Sequence, residues 1–239
     1  MVLESGLDIG VGLPSAGWAA VQDAVAAVTH VCRYDRAGLG RSDPVPPPRT
    51  GAHVVEDLRS LLQAAGEEPP YVLVGHSMGG MVVRLYAHLH PQEVCGLVLV
   101  DSSHQDQFER IGSLLPPPFQ GAPEQFLGFR RFWAEGGWRD PTANREGVDF
   151  PAMQQELNAV SSLGDLPIQL LVSGEFLRLV PDGEVSRRLH EQMLEMQQEL
   201  ARLSTRSELS VVEDSGHFIH QDRPQAVIDA IREMVALTR

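Results

Sequence analysis

The sequence predicts an α/β fold, a mostly parallel β-sheet flanked by helices, forming one domain over residues 1–239. Three observations predict it. Short apolar runs alternate with longer amphipathic ones along most of the chain, the pattern of strands joined by crossover helices. One such run, Tyr71-Val72-Leu73-Val74, passes through Gly75-His76-Ser77-Met78-Gly79 straight into a helical run from Met81 to His90, so strand, sharp turn and helix follow without a linker. A chain of 239 residues with 43% hydrophobic content is also large enough to bury a substantial single core.

In chain order, Val2 to Glu4 reads as a strand, Trp18 to Val28 as a helix and Val31 to Tyr34 as a second strand. The helix from Val54 places Val54, Leu58, Leu61, Leu62 and Ala65 on one face and stops at Gly66, a residue free to take the left-handed terminal conformation. After the Tyr71 strand and the Met81 helix comes the strand Val94 to Val100. The rhythm then breaks over residues 105–166, which carry Pro116-Pro117-Pro118, Gly136-Gly137 and a scatter of Phe119, Phe126, Phe129, Phe132, Trp133 and Trp138. This segment is an insertion between two strands, and its aromatics can serve simply to dock it on the body. The strand Ile168 to Ser173 restores the alternation, and a long helix from Val185 follows with Leu189, Met193, Met196, Leu200 and Leu203 in helical register. Its methionines read as core filler. A last strand-like run, Leu209 to Glu213, leads through Asp214-Ser215-Gly216-His217-Phe218-Ile219-His220 to a final helix.

The serine at the tip of the strand-to-helix turn is the candidate nucleophile. Glycines two residues either side of Ser77 leave room for a strained elbow, and Gly80 lets the helix lie close to the strands. The bland alternative is a glycine-rich turn whose serine caps the helix. A serine hydroxyl needs a histidine base and a carboxylate to orient it, in the chain order serine, acid, histidine. Most of the nine histidines sit where a helix face or strand end would hold them, among them His53, His88, His90 and His190; His217 is the candidate base and His220 its competitor. Gly216, just before His217, favours His217 by supplying a tight backbone. Three carboxylates are candidates for the acid. Asp101 ends the strand after the elbow helix and in a parallel sheet emerges beside Ser77; Glu175 follows the next strand; Asp182 reads also as a helix N-cap. Asp101 is favoured, and Glu175 and Asp182 stay open. For an oxyanion, Met78 N–H follows the serine, and Leu7 N–H in the glycine-bearing turn Glu4-Ser5-Gly6-Leu7 is the second donor.

The formal net charge is −13 and all 19 basic residues are arginines. The missing lysine excludes a Schiff-base mechanism, and the acidic balance argues against nucleic acid or an anionic membrane as partner. Cys32 and Cys95 lie in or beside core strands and read as buried free thiols. The chain shows no signal peptide, transmembrane run or repeat, which leads to an expectation of a cytoplasmic location. Gly38-Leu39-Gly40 begins like a dinucleotide fingerprint, but Asp43 stands where its third glycine belongs. No H-E-x-x-H pattern occurs, so neither a cofactor nor a metal is expected.

Together, Tyr34-Asp35-Arg36-Ala37-Gly38-Leu39-Gly40-Arg41-Ser42-Asp43, Gly75-His76-Ser77-Met78-Gly79-Gly80, Gly96-Leu97-Val98-Leu99-Val100-Asp101 and Ser215-Gly216-His217 resemble the α/β-hydrolase fold family, in its small esterase-like serine hydrolase branch. The resemblance spans nearly the whole chain. It implies Ser77 as nucleophile, His217 as base, Leu7 and Met78 as oxyanion amides, and residues 105–166 as a cap whose aromatics line an acyl or alcohol pocket. In one branch the acid stands where Asp101 falls. Three departures accompany it. Leu177 occupies the commoner acid position, Ser5-Gly6 replaces His-Gly in the oxyanion turn, and the usual antiparallel strand pair before Val2 is missing. Either that pair is dispensable here or the sequence begins late; a missing edge would leave unpaired backbone groups that invite association, including a homo-oligomer. Relatives acting on epoxides or haloalkanes carry aspartate where this chain has Ser77, which argues against those reactions; a lyase or perhydrolase using the same triad stays open. The expected activity is hydrolysis of a small-molecule carboxylic ester, thioester or lactone through an acyl-enzyme. The alternative is a ligand-binding or sensor protein on the same scaffold.

Overall fold

The computed structural model describes residues 1–8, 14–175 and 183–239. Its sheet has six strands, all parallel, in the order β2-β1-β3-β4-β5-β6. The chain runs through β1 (Val2–Glu4), a 3-10 turn (Pro14–Trp18), α1 (Ala19–Val25), β2 (Cys32–Arg33), α2 (Gly51–Ala64), β3 (Tyr71–His76), α3 (Met78–Leu89) and β4 (Val94–Val100). Then come α4 (Gln107–Gly112), α5 (Glu124–Trp133), α6 (Phe150–Asn158), β5 (Ile168–Ser173), α7 (Gly183–Ala201), β6 (Ser207–Val212), α8 (Ile219–Asp222) and α9 (Pro224–Leu237).

Both faces of the sheet are covered, which explains why the central strands are continuous apolar runs. Side chains alternate between the two cores: Tyr71, Leu73, Leu97 and Leu99 join α2, α3 and α6 on one face, whereas Val72, Val74, Val98 and Val100 join α1 and α9 on the other. The strand order reverses at β1, with β2 on one side and β3 on the other, and this opens a crevice at the carboxyl ends of β1 and β3.

Several boundaries differ from the sequence expectation. The first helix begins at Ala19 rather than Trp18 because a 3-10 turn takes the residues before it. Helix α2 begins at Gly51 rather than Val54: Thr50 Oγ1 accepts the His53 N–H at 3.3 Å and His53 Nδ1 accepts the Thr50 N–H at 3.2 Å, a capping box in which histidine takes the usual glutamate place. Strand β3 runs on to His76 and α3 starts at Met78, leaving Ser77 alone between them. Strand β1 lies inside the sheet, so the open edge on that side belongs to the two-residue β2. The two cysteines are free but half-buried rather than fully buried.

Between β4 and β5, the aromatics of the insertion pack mainly on one another. Phe108 stacks on Trp138 at 5.0 Å and meets Trp133 and Phe150 edge-on at 5.0 and 4.9 Å. Phe126 is buried beside Leu189, Met193 and Met196 of α7. Trp138, Phe150 and Phe126 are therefore core residues, which favours the docking reading over a pocket lining for them.

Candidate active site

The elbow is built from small residues because its parts touch. A Cβ on Gly75 would lie 2.5 Å from Gly79 O, and one on Gly79 would lie 2.5 Å from Glu4 O, so side chains at either position would drive α3 off the sheet. Ser77 sits at φ 53°, ψ −123°, a conformation costly for any residue with a Cβ. The strain is held in place by hydrogen bonds. Ser77 N–H donates to Val100 O at 3.2 Å, and Ser77 O accepts from Gly80 N–H and Ser103 N–H, both at 2.9 Å. Ser77 makes no side-chain cap on α3, contrary to the helix-capping alternative, and Met78 is the first residue of that helix, where an N–H has no intrahelical acceptor.

Strand β4 delivers Asp101, itself at φ 43° and fully buried. Its Oδ2 accepts from His217 Nδ1 at 2.7 Å and its Oδ1 accepts the Ser173 N–H at 2.9 Å. This bond engages Nδ1 and so fixes which ring nitrogen meets the acid. Asp101 thus meets His217, while Glu175 is exposed and its backbone N–H donates to Ser215 O at 3.0 Å. Asp182 and Leu177 lie outside the described residues.

His217 is tied to the elbow through the residue before the serine. His76 Nε2–H donates to His217 O at 2.8 Å, and the two rings lie 4.6 Å apart. Burial, reinforced by His220 and then His217, holds the His76 imidazole well below its usual range, so it stays a neutral donor. His220, the competitor for the base, is buried in a stack on Trp18 at 4.4 Å and pushed down to about 3, first by burial and then by His217. The left-handed residue of the His217 loop is Asp214, not Gly216; Gly216 instead donates its N–H to Asp222 Oδ2 at 2.8 Å. A Cβ at Gly216 would stand 3.3 Å from Asp222 Oδ2, so the chain is tight there without a left-handed φ.

The turn after β1 places Gly6 directly on the elbow: a Cβ there would stand 3.1 Å from Ser77 Cβ and 3.0 Å from His76 Nδ1. Leu7 is the next residue, so the two sequence-predicted oxyanion amides, of Leu7 and Met78, flank this contact. The sequence reading missed what supports that turn. Arg36 NH1 donates to Ser5 O and NH2 to Gly6 O, each at 2.6 Å, while the same guanidinium pairs with Glu4 and with Glu146, its Nε meeting Glu146 Oε2 at 2.5 Å. Tyr34 OH donates to Glu4, and Asp8 N–H donates to Glu146 Oε1 at 2.8 Å. Burial would lower the Arg36 guanidinium, but Glu146 and Glu4 hold it above its ordinary value and charged. A glutamate closing an otherwise apolar strand was the available signal; nothing marked Glu146.

A second support acts on the acid's loop. Arg84 of α3, buried, donates through NH2 to Ser103 O at 2.8 Å, and Gln197 of α7 donates to Ser102 O at 2.6 Å. Burial alone lowers Arg84 to about 9, leaving it cationic at neutral pH. No group of three or more His, Cys, Asp or Glu that could hold a metal ion occurs among the described residues, and none of their helices is long and apolar enough to cross a membrane.

Residues 10–230 match the model of the alpha/beta hydrolase family, and the chain belongs to that family. It is 29% identical over 230 residues to the uncharacterized protein YqjL of Bacillus subtilis, covering 95% of this chain and 81% of that protein. Of two further curated relatives, matched over shorter stretches, the chain spans only 21% and 34%. Among solved structures, a thermophilic esterase from Thermogutta terrifontis superposes with a TM-score of 0.65 at 21% identity, over 99% of this chain and 88% of that one. Est816, an N-acyl homoserine lactone degrading enzyme, gives 0.61 at 20% identity, over 97% and 91%. At these identities the structural likeness speaks for the fold.

Proposed function

We propose that this member of the alpha/beta hydrolase family is a serine hydrolase that cleaves a small-molecule carboxylic ester, thioester or lactone through an acyl-enzyme. Ser77 Oγ attacks the carbonyl carbon while His217 Nε2 takes its proton. Leu7 N–H and Met78 N–H receive the developing oxyanion. The imidazolium, stabilised by Asp101, then protonates the leaving alcohol, thiol or lactone oxygen. Water then gives a proton to His217 and attacks the acyl carbon, and as the acyl bond to Ser77 Oγ breaks the imidazolium returns that proton to Oγ and the acid leaves.

The observation that carries this reading is the 2.7 Å bond from His217 Nδ1 to Asp101 Oδ2, made by two residues whose loops are both hydrogen-bonded to the Ser77 elbow. The esterase and the lactone-degrading enzyme that share the fold are consistent with the substrate class. Replacement of Ser77 by alanine tests it. Turnover of a short activated ester should vanish while the thermal midpoint is kept; turnover that survives in Ser77→Ala overturns the proposal.

A further inference from the structure

We propose that Arg36 is a positioning residue for the Leu7 oxyanion amide, and that Glu146 ties that amide to the insertion between β4 and β5. The inference rests on the reading of Ser77 as nucleophile and adds a device that orients one half of the oxyanion hole.

The sheet order sets the geometry. The turn Ser5-Gly6-Leu7-Asp8 leaves β1, which has β2 on one side and β3 on the other. Arg36 approaches from the β2 side and Ser77 stands at the end of β3. The Gly6 carbonyl and the Leu7 N–H belong to one planar trans peptide, so they point in opposite directions. Holding Gly6 O at 2.6 Å on the guanidinium therefore turns Leu7 N–H away from β2, toward the elbow against which Gly6 already packs. A cation on the carbonyl end also polarises the amide and makes its N–H a stronger donor.

The far side of Leu7 is fixed as well. Asp8 N–H donates to Glu146 Oε1, whose carboxylate also receives Arg36 NH2 at 2.9 Å. Arg145, the neighbour of Glu146, pairs with Asp8 at 3.2 Å. Both peptides flanking Leu7 are thus anchored to one buried ionic group, and a displacement of the insertion at residue 146 reaches the Leu7 amide through two hydrogen bonds.

Stability alone accounts poorly for this arrangement. Burying Arg36, Glu4 and Glu146 carries a desolvation cost, and apolar residues of similar volume generally serve a fold as well. Forked donation to two successive carbonyls is, by contrast, what a planar guanidinium does and a single ammonium does not.

The test is Arg36→Lys, which keeps a positive charge between the two carboxylates but loses the fork. Active sites are titrated with a fluorophosphonate, so that kcat is expressed per competent serine. We expect kcat on a short activated ester to fall by about a hundredfold, the range seen when an oxyanion donor is lost, with KM nearly unchanged. A trifluoromethyl ketone that captures Ser77 as a tetrahedral adduct should weaken by the same factor. A merely structural role lowers the titratable fraction and leaves kcat per site intact, and that result overturns the inference, as does a rise in KM with kcat unchanged. Glu146→Gln carries the same test without removing the cation, and covers the case in which Arg36→Lys does not fold. It should lower kcat per site by a smaller factor of about ten, intermediate because its amide oxygen still accepts Asp8 N–H; a kcat per site equal to the parent's contradicts the coupling. Persisting turnover in Ser77→Ala would sink the nucleophile assignment instead, so the two failures are told apart.

Discussion

Asp101→Asn is the substitution whose consequence the geometry defines most sharply. The buried carboxylate accepts two hydrogen bonds, Ser173 N–H at 2.9 Å on Oδ1 and His217 Nδ1–H at 2.7 Å on Oδ2. An asparagine has one acceptor oxygen and one NH2 group. The backbone donor of Ser173 cannot change its polarity, so the asparagine oxygen must turn to it, which leaves the NH2 group facing His217. His217 Nδ1 then has to accept, its proton moves to Nε2, and the ring loses the lone pair needed for the Ser77 proton. In a triad of this design the wrong tautomer lowers kcat by about 10⁴, which at about 1.36 kcal/mol per decade is roughly 5.4 kcal/mol of barrier. The assay is steady-state hydrolysis of a short activated ester, normalised to folded protein and paired with Glu175→Gln. The expected outcome is a loss near four orders of magnitude in Asp101→Asn and little change in Glu175→Gln. Asp101→Asn within tenfold of the parent refutes the reasoning, and a loss confined to Glu175→Gln moves the acid to the following strand.

Further outcomes follow from strain, burial and packing. Ser77→Gly relieves a left-handed φ that costs roughly 1 to 3 kcal/mol, so it should melt a few degrees above Ser77→Ala by differential scanning calorimetry; a lower midpoint argues against stored strain. His76, His104 and His220 are buried with lowered pKa values, chiefly through burial, with His104 near 4 and His220 near 3. Below about 6.5, the ordinary imidazole value, the unfolded chain binds protons that the folded chain refuses. Stability should therefore fall as pH drops from about 6.5 toward 4, by up to about 1.4 kcal/mol per pH unit for each histidine, with the raised Glu4 opposing part of it. Equal urea midpoints at pH 7 and pH 5 contradict this. Phe108→Ala should cost about 3 to 5 kcal/mol of stability, because Phe108 is the hub of the insertion's aromatic cluster. An unchanged melting temperature with an altered KM instead makes Phe108 a pocket residue.

The parts of the fold visible in the sequence were those set by local rules. The apolar alternation around β3 and β4 reflects burial on both faces, and the glycines around Ser77 reflect backbone packed so closely that an added Cβ would lie about 2.5 Å from a neighbouring carbonyl oxygen. Asp101 could be placed beside Ser77 because strand neighbours in a parallel sheet end together. The choice among Asp101, Glu175 and Asp182 was not local, since it depends on where the loop after β6 delivers His217, and that loop is held by His76, 141 positions away, as well as by Asp222 of the helix that follows it. The Arg36 cluster was hidden for the same reason. Arg36 and Glu146 are separated by 110 positions, and only the insertion's path brings them together. Thr50 and His53 show a subtler miss, because a histidine in the capping-box position does not read as a helix start.

The central claim is that Ser77 is an activated nucleophile, and the most direct measurement is mass spectrometry after exposure to a fluorophosphonate. One adduct per chain, mapped to Ser77 and formed much more slowly in His217→Ala, is the predicted result. No adduct, or an adduct on another residue, contradicts it.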